Sequence, residues 1–432
     1  MLAQNISMLP EKHLLFDALV TEFHSRRFPS IQGSVTLSQV TISHNKSTKA
    51  EQIEHLQALA KIYNVSEPSN DTACYYQDLG ELDIRWEYHT EFSTYTFIRL
   101  NINETPFHCS AWSVLPSIWC TNIPGLLIAA THLDMQNKKP SFSHLQQLFA
   151  GHAMAASFIA ENNAQVWTSF KPASDHFDRI LIINHELNGS QTGRTLRCLL
   201  EISSYRMMSL LSFPLAKKLL PTIAAMEKKL ANITIDLNNI KESNKSQKRL
   251  LNMLSELSAQ LESLIADSQY RFDASNAYLD LVNNRLDELK EQEISGVTML
   301  SDFLSRRLTP AIRTGSSVKT RMQNLSNRIE KSSDLLRTKI SLGLEEQNQD
   351  LLKALNRRSH IQLRLHQLVE SVSMIAISYY VIQMISYMLV LPTKWLEVIS
   401  KEQVIALSVP LVITSVWYIL HKLKRKWRKE KG

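Results

Sequence analysis

Residues 371–391 read SVSMIAISYYVIQMISYMLVL, a run of 21 with no charged side chain. At about 1.5 Å per residue a helix of that length covers roughly 31 Å, the thickness of a bilayer's hydrocarbon core. Residues 403–420, QVIALSVPLVITSVWYIL, form a second uncharged run of 18, near the minimum for a span. The eleven residues between the runs are too few for a domain. The pair therefore reads as a two-helix transmembrane hairpin. Pro410 inside the second run is tolerated where a neighbouring helix or side chain satisfies the carbonyl it leaves open.

Charge gives the hairpin an orientation. The chain of 432 residues has a formal net charge of +7. Residues 421–432 hold seven Lys and Arg against Glu430, a net +6, so the other 420 residues carry only +1. That leaves no distributed basic surface for nucleic acid. Lys353, Arg357, Arg358 and Arg364 precede the first span. Lys422, Lys424, Arg425, Lys426, Arg428, Lys429 and Lys431 follow the second. The loop between has Lys394 and Lys401, offset by Glu397 and Glu402. The positive-inside rule then places both termini on the cytoplasmic side of an inner membrane. Trp395, Trp417 and Tyr418 suit interfacial anchors.

The first span is polar along one line. Ser373, Tyr380 and Tyr387 recur every seven residues and share a helix face, with Gln383 beside it. Polar groups in hydrocarbon seek partners, so this face either packs on another helix or lines a pore.

Upstream, residues 191–368 read as a long helical stalk. Residues 222–293 contain neither Pro nor Gly, and Leu250, Leu254, Leu257, Leu261 and Leu264 keep heptad spacing. Val318, Met322, Leu325, Ile329, Leu336 and Ile340 form a second apolar run. A turn around Gly296 and a short helix over 297–308 separate the two. The expectation is an antiparallel coiled-coil hairpin whose second arm runs into the first span.

Residues 1–190 mix periods and read as one α/β cytoplasmic domain. Helices are expected over 10–24 and over 47–63, the second capped by Ser47. Strands are expected at 35–43, 125–130, 165–169 and 179–184. The clearest is 83–100, with a bulge near Ser93 where the apolar phase changes. The fold class is α+β, with a basic cytoplasmic tail at 421–432.

Chemical signals are sparse. Glycine numbers only 10, which argues against folds built on glycine-rich phosphate loops. Cys74, Cys109, Cys120 and Cys198 make no C-x-x-C pair and suit free thiols in a reducing compartment. Glu11, Lys12 and His13 stand where a signal peptide needs an apolar run. Arg85, Glu87, His89 and Glu91 alternate on one strand face. That pattern suits either a cation or acid/base site or charge pairing across strands. The run 189–195, GSQTGRT, is one residue short of a phosphate loop and has Arg where Lys is needed, so it reads as a helix start.

Several blocks together resemble a known family. Glu22, His24, Arg26, Phe28 and Pro29 are similar to an E-x-H-A-R-P-F block. Residues 85–92, RWEYHTEF, are close to R-W-E-R-H-T-E-F. Gly193-Arg194 with 199–202 and 205–207 resembles a third block, and 376–380 the start of a membrane span. The resemblance is to an uncharacterised bacterial family of predicted membrane-anchored proteins, a domain of unknown function that fills nearly the whole chain. It implies no activity. The architecture alone also resembles CorA-type magnesium channels. Their Gly-Met-Asn signature is absent from the loop, which opens Leu391-Pro392-Thr393-Lys394.

The expected function is an interaction or regulatory module held at the inner membrane. Its expected partners are the bilayer, copies of itself through stalk and spans, and another protein. The alternative is an oligomeric CorA-like cation channel with the first span lining the pore. No cofactor is expected, a divalent cation entering only under that alternative, and no metal site is identified. An enzymatic role is not favoured.

Overall fold

The computed structural model describes residues 12–17, 19–20, 28–44, 47–100, 105–239, 244–388 and 401–429. The helix expected over 10–24 lies largely outside these, as does the loop at 391–394. The described chain separates into two compact units. One holds the sheet with helices up to Ser333. The other holds residues from Asp334 onward together with 240–248.

The first unit is built on a mixed sheet. Its strands are β1 (Val35–Ser43), β2 (Cys74–Asp78), β3 (Asp83–Tyr88), β4 (Phe92–Leu100), β5 (Leu126–Gln136), β6 (Ala155–Ile159), β7 (Ala164–Thr168), β8 (Asp178–Asn184) and β9 (Gln292–Glu293). Among the described residues the order is β2-β3-β4-β1-β5-β8-β7-β6-β9. Every pairing between these strands is antiparallel except β5 with β8.

β1 shows how the sheet is covered. All nine of its residues are buried, so both faces are sealed. Val35, Leu37, Gln39 and Thr41 face one way, and Thr36, Ser38, Val40 and Ile42 the other. The first face packs under α4 (Gly189–Leu210). Leu196, Leu199 and Ile202 of α4 join Leu37, Leu133 and Ile182 in one core. Leu286 and Leu300, from the two long helices α6 (Asn244–Leu289) and α7 (Leu300–Met388), reach the same core. The opposite face packs under α1 (Lys49–Tyr63), a short 3-10 turn and α2 (Ser117–Thr121), with Trp86, Tyr95, Phe97 and Trp119 at the centre. α3 (Phe142–Leu148) covers its far end. The result is a sheet between two helical layers, a mixed α+β fold.

Several expectations are corrected. Residues 83–100 are two strands, not one with a bulge. Tyr88 pairs with Ser93, and the His89 N–H donates to the Phe92 carbonyl at 2.9 Å, which closes a hairpin. The change of apolar phase at Ser93 is thus a turn. The α1 cap is Thr48, whose hydroxyl accepts from the Glu51 N–H while the Glu51 carboxylate accepts from the Thr48 N–H. Ser47 instead accepts from Gln52 Nε2 at 3.1 Å. β2 and β6 are strands that the sequence pattern did not announce.

The helical middle holds three helices. α5 (Ser212–Asn239) precedes α6, and α7 follows. Arg321 of α7 pairs with Glu227 of α5, and Lys319 of α7 with Asp273 of α6. The heptad leucines Leu250, Leu254, Leu257 and Leu261 are buried, as are Val318, Met322, Leu325 and Ile329. No separate short helix ends at Pro310. α7 passes through that residue because Leu308, Ala311 and Ile312 on either side are buried and hold it in place. The division expected at residue 190 falls inside α4, whose apolar face belongs to the sheet's core.

The second unit is helical. It contains α7 from Asp334 onward and α8 (Lys401–Lys429). Each of these helices has an 18-residue window apolar enough to cross a membrane, and only 6% of each window is buried.

Candidate functional site

The face Arg85–Glu87–His89–Glu91 is not a single open site. Arg85 is 2% exposed. Its guanidinium lies 5.0 Å from the Phe28 ring and 2.8 Å from the Glu87 carboxylate. Beyond Glu87, charge alternates along α4 and α6: Arg197 pairs with Glu201, Glu201 with Arg285, and Arg285 with Glu288. Burial pulls both Arg197 and Arg285 down, but Glu201 outweighs it at each, with Glu87 adding at Arg197 and Glu288 at Arg285, so both guanidiniums are held up. The seam ends where the Cys198 thiol, pushed up to about 12 by burial and then by Glu288, meets that carboxylate at 3.3 Å. A thiol held that high is not a nucleophile at neutral pH.

The other two residues diverge from the seam. His89 occupies the hairpin turn and stacks on Phe92 at 4.5 Å. Glu91 pairs with Arg271 of α6 and accepts the hydroxyl of Tyr278. Both carboxylates thus face arginines. Among the described residues, no three His, Cys, Asp or Glu side chains are grouped to hold a metal ion. Arg197, Arg285 and Glu288 were not singled out in the sequence, and Glu201 stood there only within the block 199–202. Their spacing at i,i+4 and i,i+3 is the signal that was available.

Beside the seam this interface carries a row of neutral hydrogen bonds. Gln39 Nε2 donates to Ser204 Oγ at 2.9 Å, and its Oε1 accepts from Thr96 at 2.9 Å. Thr41 and Ser204 hydroxyls are 2.7 Å apart, and those of Thr131 and Ser203 2.6 Å. This polar row and the charged seam seat α4 on the sheet in one register.

The opposite face assembles a serine, a histidine and an aspartate. Ser38 Oγ is 2.9 Å from His132 Nδ1, and His132 Nε2 is 3.8 Å from Asp175. The serine is fully buried, and its oxygen also accepts from the Trp112 N–H. Ser38 and His132 thus share one hydrogen bond inside the sealed face. Phe177 stacks on the imidazole at 3.9 Å. Burial pushes His132 down to about 4, against the pull of Asp175. A nucleophile sealed this way meets no substrate, so the trio is structural.

The run at 189–195 starts α4. Asn188 caps it, accepting from the Gln191 N–H at 2.9 Å. Its glycines serve close packing. A Cβ on Gly193 would sit 2.4 Å from the Pro29 carbonyl oxygen, and one on Gly189 would sit 2.5 Å from Ser30 Oγ. The chain at 28–32 therefore lies directly on the helix. Of the first sequence block, Phe28 and Pro29 are placed here, while Glu22, His24 and Arg26 lie outside the described residues.

On α7, Ser373, Tyr380 and Tyr387 are exposed and Gln383 is half-buried. Around them Ile375, Ile377, Val381, Met384 and Met388 are exposed too. Leu407, Leu411, Ile413 and Ile419 repeat this on α8. Ser378 and Val412 are buried positions within this unit.

A family model described as Protein of unknown function (DUF3422) matches residues 11–427. No curated protein and no solved structure matches the chain. The resemblance to CorA-type channels thus gains no support from these comparisons. The family match runs through the sheet, the long helices and both apolar segments, and the chain belongs to the family described as Protein of unknown function (DUF3422).

Proposed function

We propose that this protein is anchored in an inner membrane by a hairpin of two helices, with its α+β unit acting as a regulatory or interaction module in the cytoplasm. The observation that carries the reading is the exposure of the apolar windows, each 6% buried within the chain. A helix apolar all round belongs in a protein core or in lipid. Among the described residues nothing supplies a core for either window, and an exposed apolar surface of that size is not stable in water. The basic residues flanking the spans set both termini at the anionic cytoplasmic face. The polar line Ser373–Tyr380–Tyr387 favours copies of the chain meeting through this helix.

Paired reporters test the topology. Alkaline phosphatase fused after Glu397 is expected to be active, and a fluorescent protein fused after Gly432 to fluoresce. An inactive phosphatase after Glu397, or a fluorescent protein that stays dark after Gly432, refutes the hairpin or its orientation.

A further inference from the structure

Arg206 stands near the end of α4 and is 7% exposed. It pairs with Asp178 of β8, and the Phe170 ring lies 5.0 Å from its guanidinium. Among the described residues its Nε has no hydrogen-bond partner, and neither has Oδ1 of Asp178. A buried polar atom left open is costly unless something fills the space beside it. That space exists, since Arg206 lines a cavity of about 350 Å³ within the first unit. The volume is at the small end of the range for organic ligands.

Three cations, Lys171, Arg206 and Arg307, line the cavity together with His152; among the described residues no acidic side chain joins that lining, and Asp178 offsets the charge of Arg206 alone. The rest of the lining is mostly apolar. The Phe170 and Phe303 rings lie 5.4 Å apart, tilted by 31°, with Arg206 5.0 Å from the first ring and Arg307 3.5 Å from the second. Each of the two paired rings thus carries one guanidinium. Phe170 has a φ of +49°, a conformation that side chains other than glycine's rarely adopt. Backbone held this way concentrates at ligand sites. The Arg206–Asp178 pair alone explains neither Lys171 and Arg307 nor the rings.

We propose that this cavity binds a phosphate monoester that carries an apolar body. Guanidinium forks match the several oxygens of a doubly charged phosphate, and Lys171 adds a point charge. The rings and leucines receive the apolar part. The ligand is either a free organic phosphate or the headgroup of a phosphatidic lipid, which share this chemistry. The inference holds whether or not the anchoring reading does, because every residue in it belongs to the sheet-bearing unit.

The test is calorimetric titration of the full chain in a non-ionic detergent. The probes are phenyl phosphate, dihexanoyl phosphatidic acid and inorganic phosphate. At least one organic probe is expected to bind in the submillimolar range, and inorganic phosphate at least tenfold more weakly. Binding of phenyl phosphate assigns the site to free organic phosphates, and binding of the lipid alone assigns it to a headgroup. Lys171→Gln combined with Arg307→Gln alters two exposed side chains. It is expected to weaken binding about tenfold or more with the melting temperature unchanged. Three results would overturn the proposal: no organic probe binding up to several millimolar, affinity unaltered in the double variant, or inorganic phosphate binding as tightly as phenyl phosphate.

Discussion

His132 and Asp134 stand two residues apart on β5 and so share a face of the sheet. Burial shifts them in ways that oppose each other. His132, 6.5 when unfolded, is pushed down to about 4, mainly by burial, with Arg179 adding to the effect and Asp175 opposing it. The unfolded chain then binds more protons between those values, so stability falls as pH drops from about 6.5 to about 4. Asp134, 3.8 when unfolded, is pushed up to about 6 by burial, despite the Phe107 N–H, Thr36 and Arg179. There the folded chain holds the proton, so stability rises as pH drops from about 6 to about 3.8. Each effect is worth roughly 3 kcal/mol at full extent, and over their shared window they largely cancel. Asp134→Asn removes one side of the balance. Denaturant unfolding at pH 7 and pH 4.5 should show the variant losing roughly 2 kcal/mol more on acidification than the native chain. Equal losses would mean that the two groups are not coupled to folding in this way.

Glycine gives a second test at the residue scale. Ala in place of Gly in a helix normally gains about 1 kcal/mol. At Gly193 the added Cβ would lie 2.4 Å from the Pro29 carbonyl oxygen, so Gly193→Ala should lower the melting temperature, at a cost of about 1–3 kcal/mol. Gly343 meets nothing within 4 Å, and Gly343→Ala should leave the temperature unchanged or raise it. Calorimetric scans of both variants decide between contact and propensity.

At the scale of elements, the seam between sheet and helices carries the main prediction. Glu201 sits between Arg197 and Arg285, so Glu201→Gln leaves two half-buried guanidiniums facing a neutral amide. The expected cost is about 1–3 kcal/mol, below the range for a fully buried pair because Arg285 is 23% exposed. Adding Arg285→Met should recover part of that loss, and a double-mutant cycle should give a coupling of at least about 0.5 kcal/mol. A coupling near zero would make the seam incidental.

The same elements show what the sequence could say. The alternation over 83–92 was readable, and so was the change of phase after it. That the change was a turn depended on Tyr88 finding Ser93 across the hairpin, which no local pattern reveals. The polar row Arg85, Glu87 suited either a cation or acid/base site or charge pairing across strands, because the pattern shows only that a face is polar, not that α4 covers it. The heptad leucines announced a helical core. α5 was hidden because residues 222–293 carry no Pro or Gly to punctuate them. The cavity-lining side chains of His152, Lys171, Arg206 and Arg307 come from separate segments and only the fold gathers them.

For the whole molecule, the apolar runs at 371–391 and 403–420 were the most legible feature. Lipid accepts only a long uninterrupted apolar helix, so its mark on a sequence is local. Pro310 misled for the complementary reason: burial on either side outweighed a local breaker, and α7 is one helix from Leu300 to Met388. If copies of the chain meet through the polar line on that helix, Tyr380→Leu with Gln383→Leu should lower the mass measured in detergent by light scattering. An unchanged mass would exclude this face as the contact.

The central claim is that α8 and the last turns of α7 lie in lipid. Alkaline carbonate extraction of membranes from cells making the full chain tests it most directly. The chain should stay in the membrane pellet, and a chain ended at Val369 should be released to the supernatant. Release of the full chain, in the same fraction as the shortened one, would contradict the account.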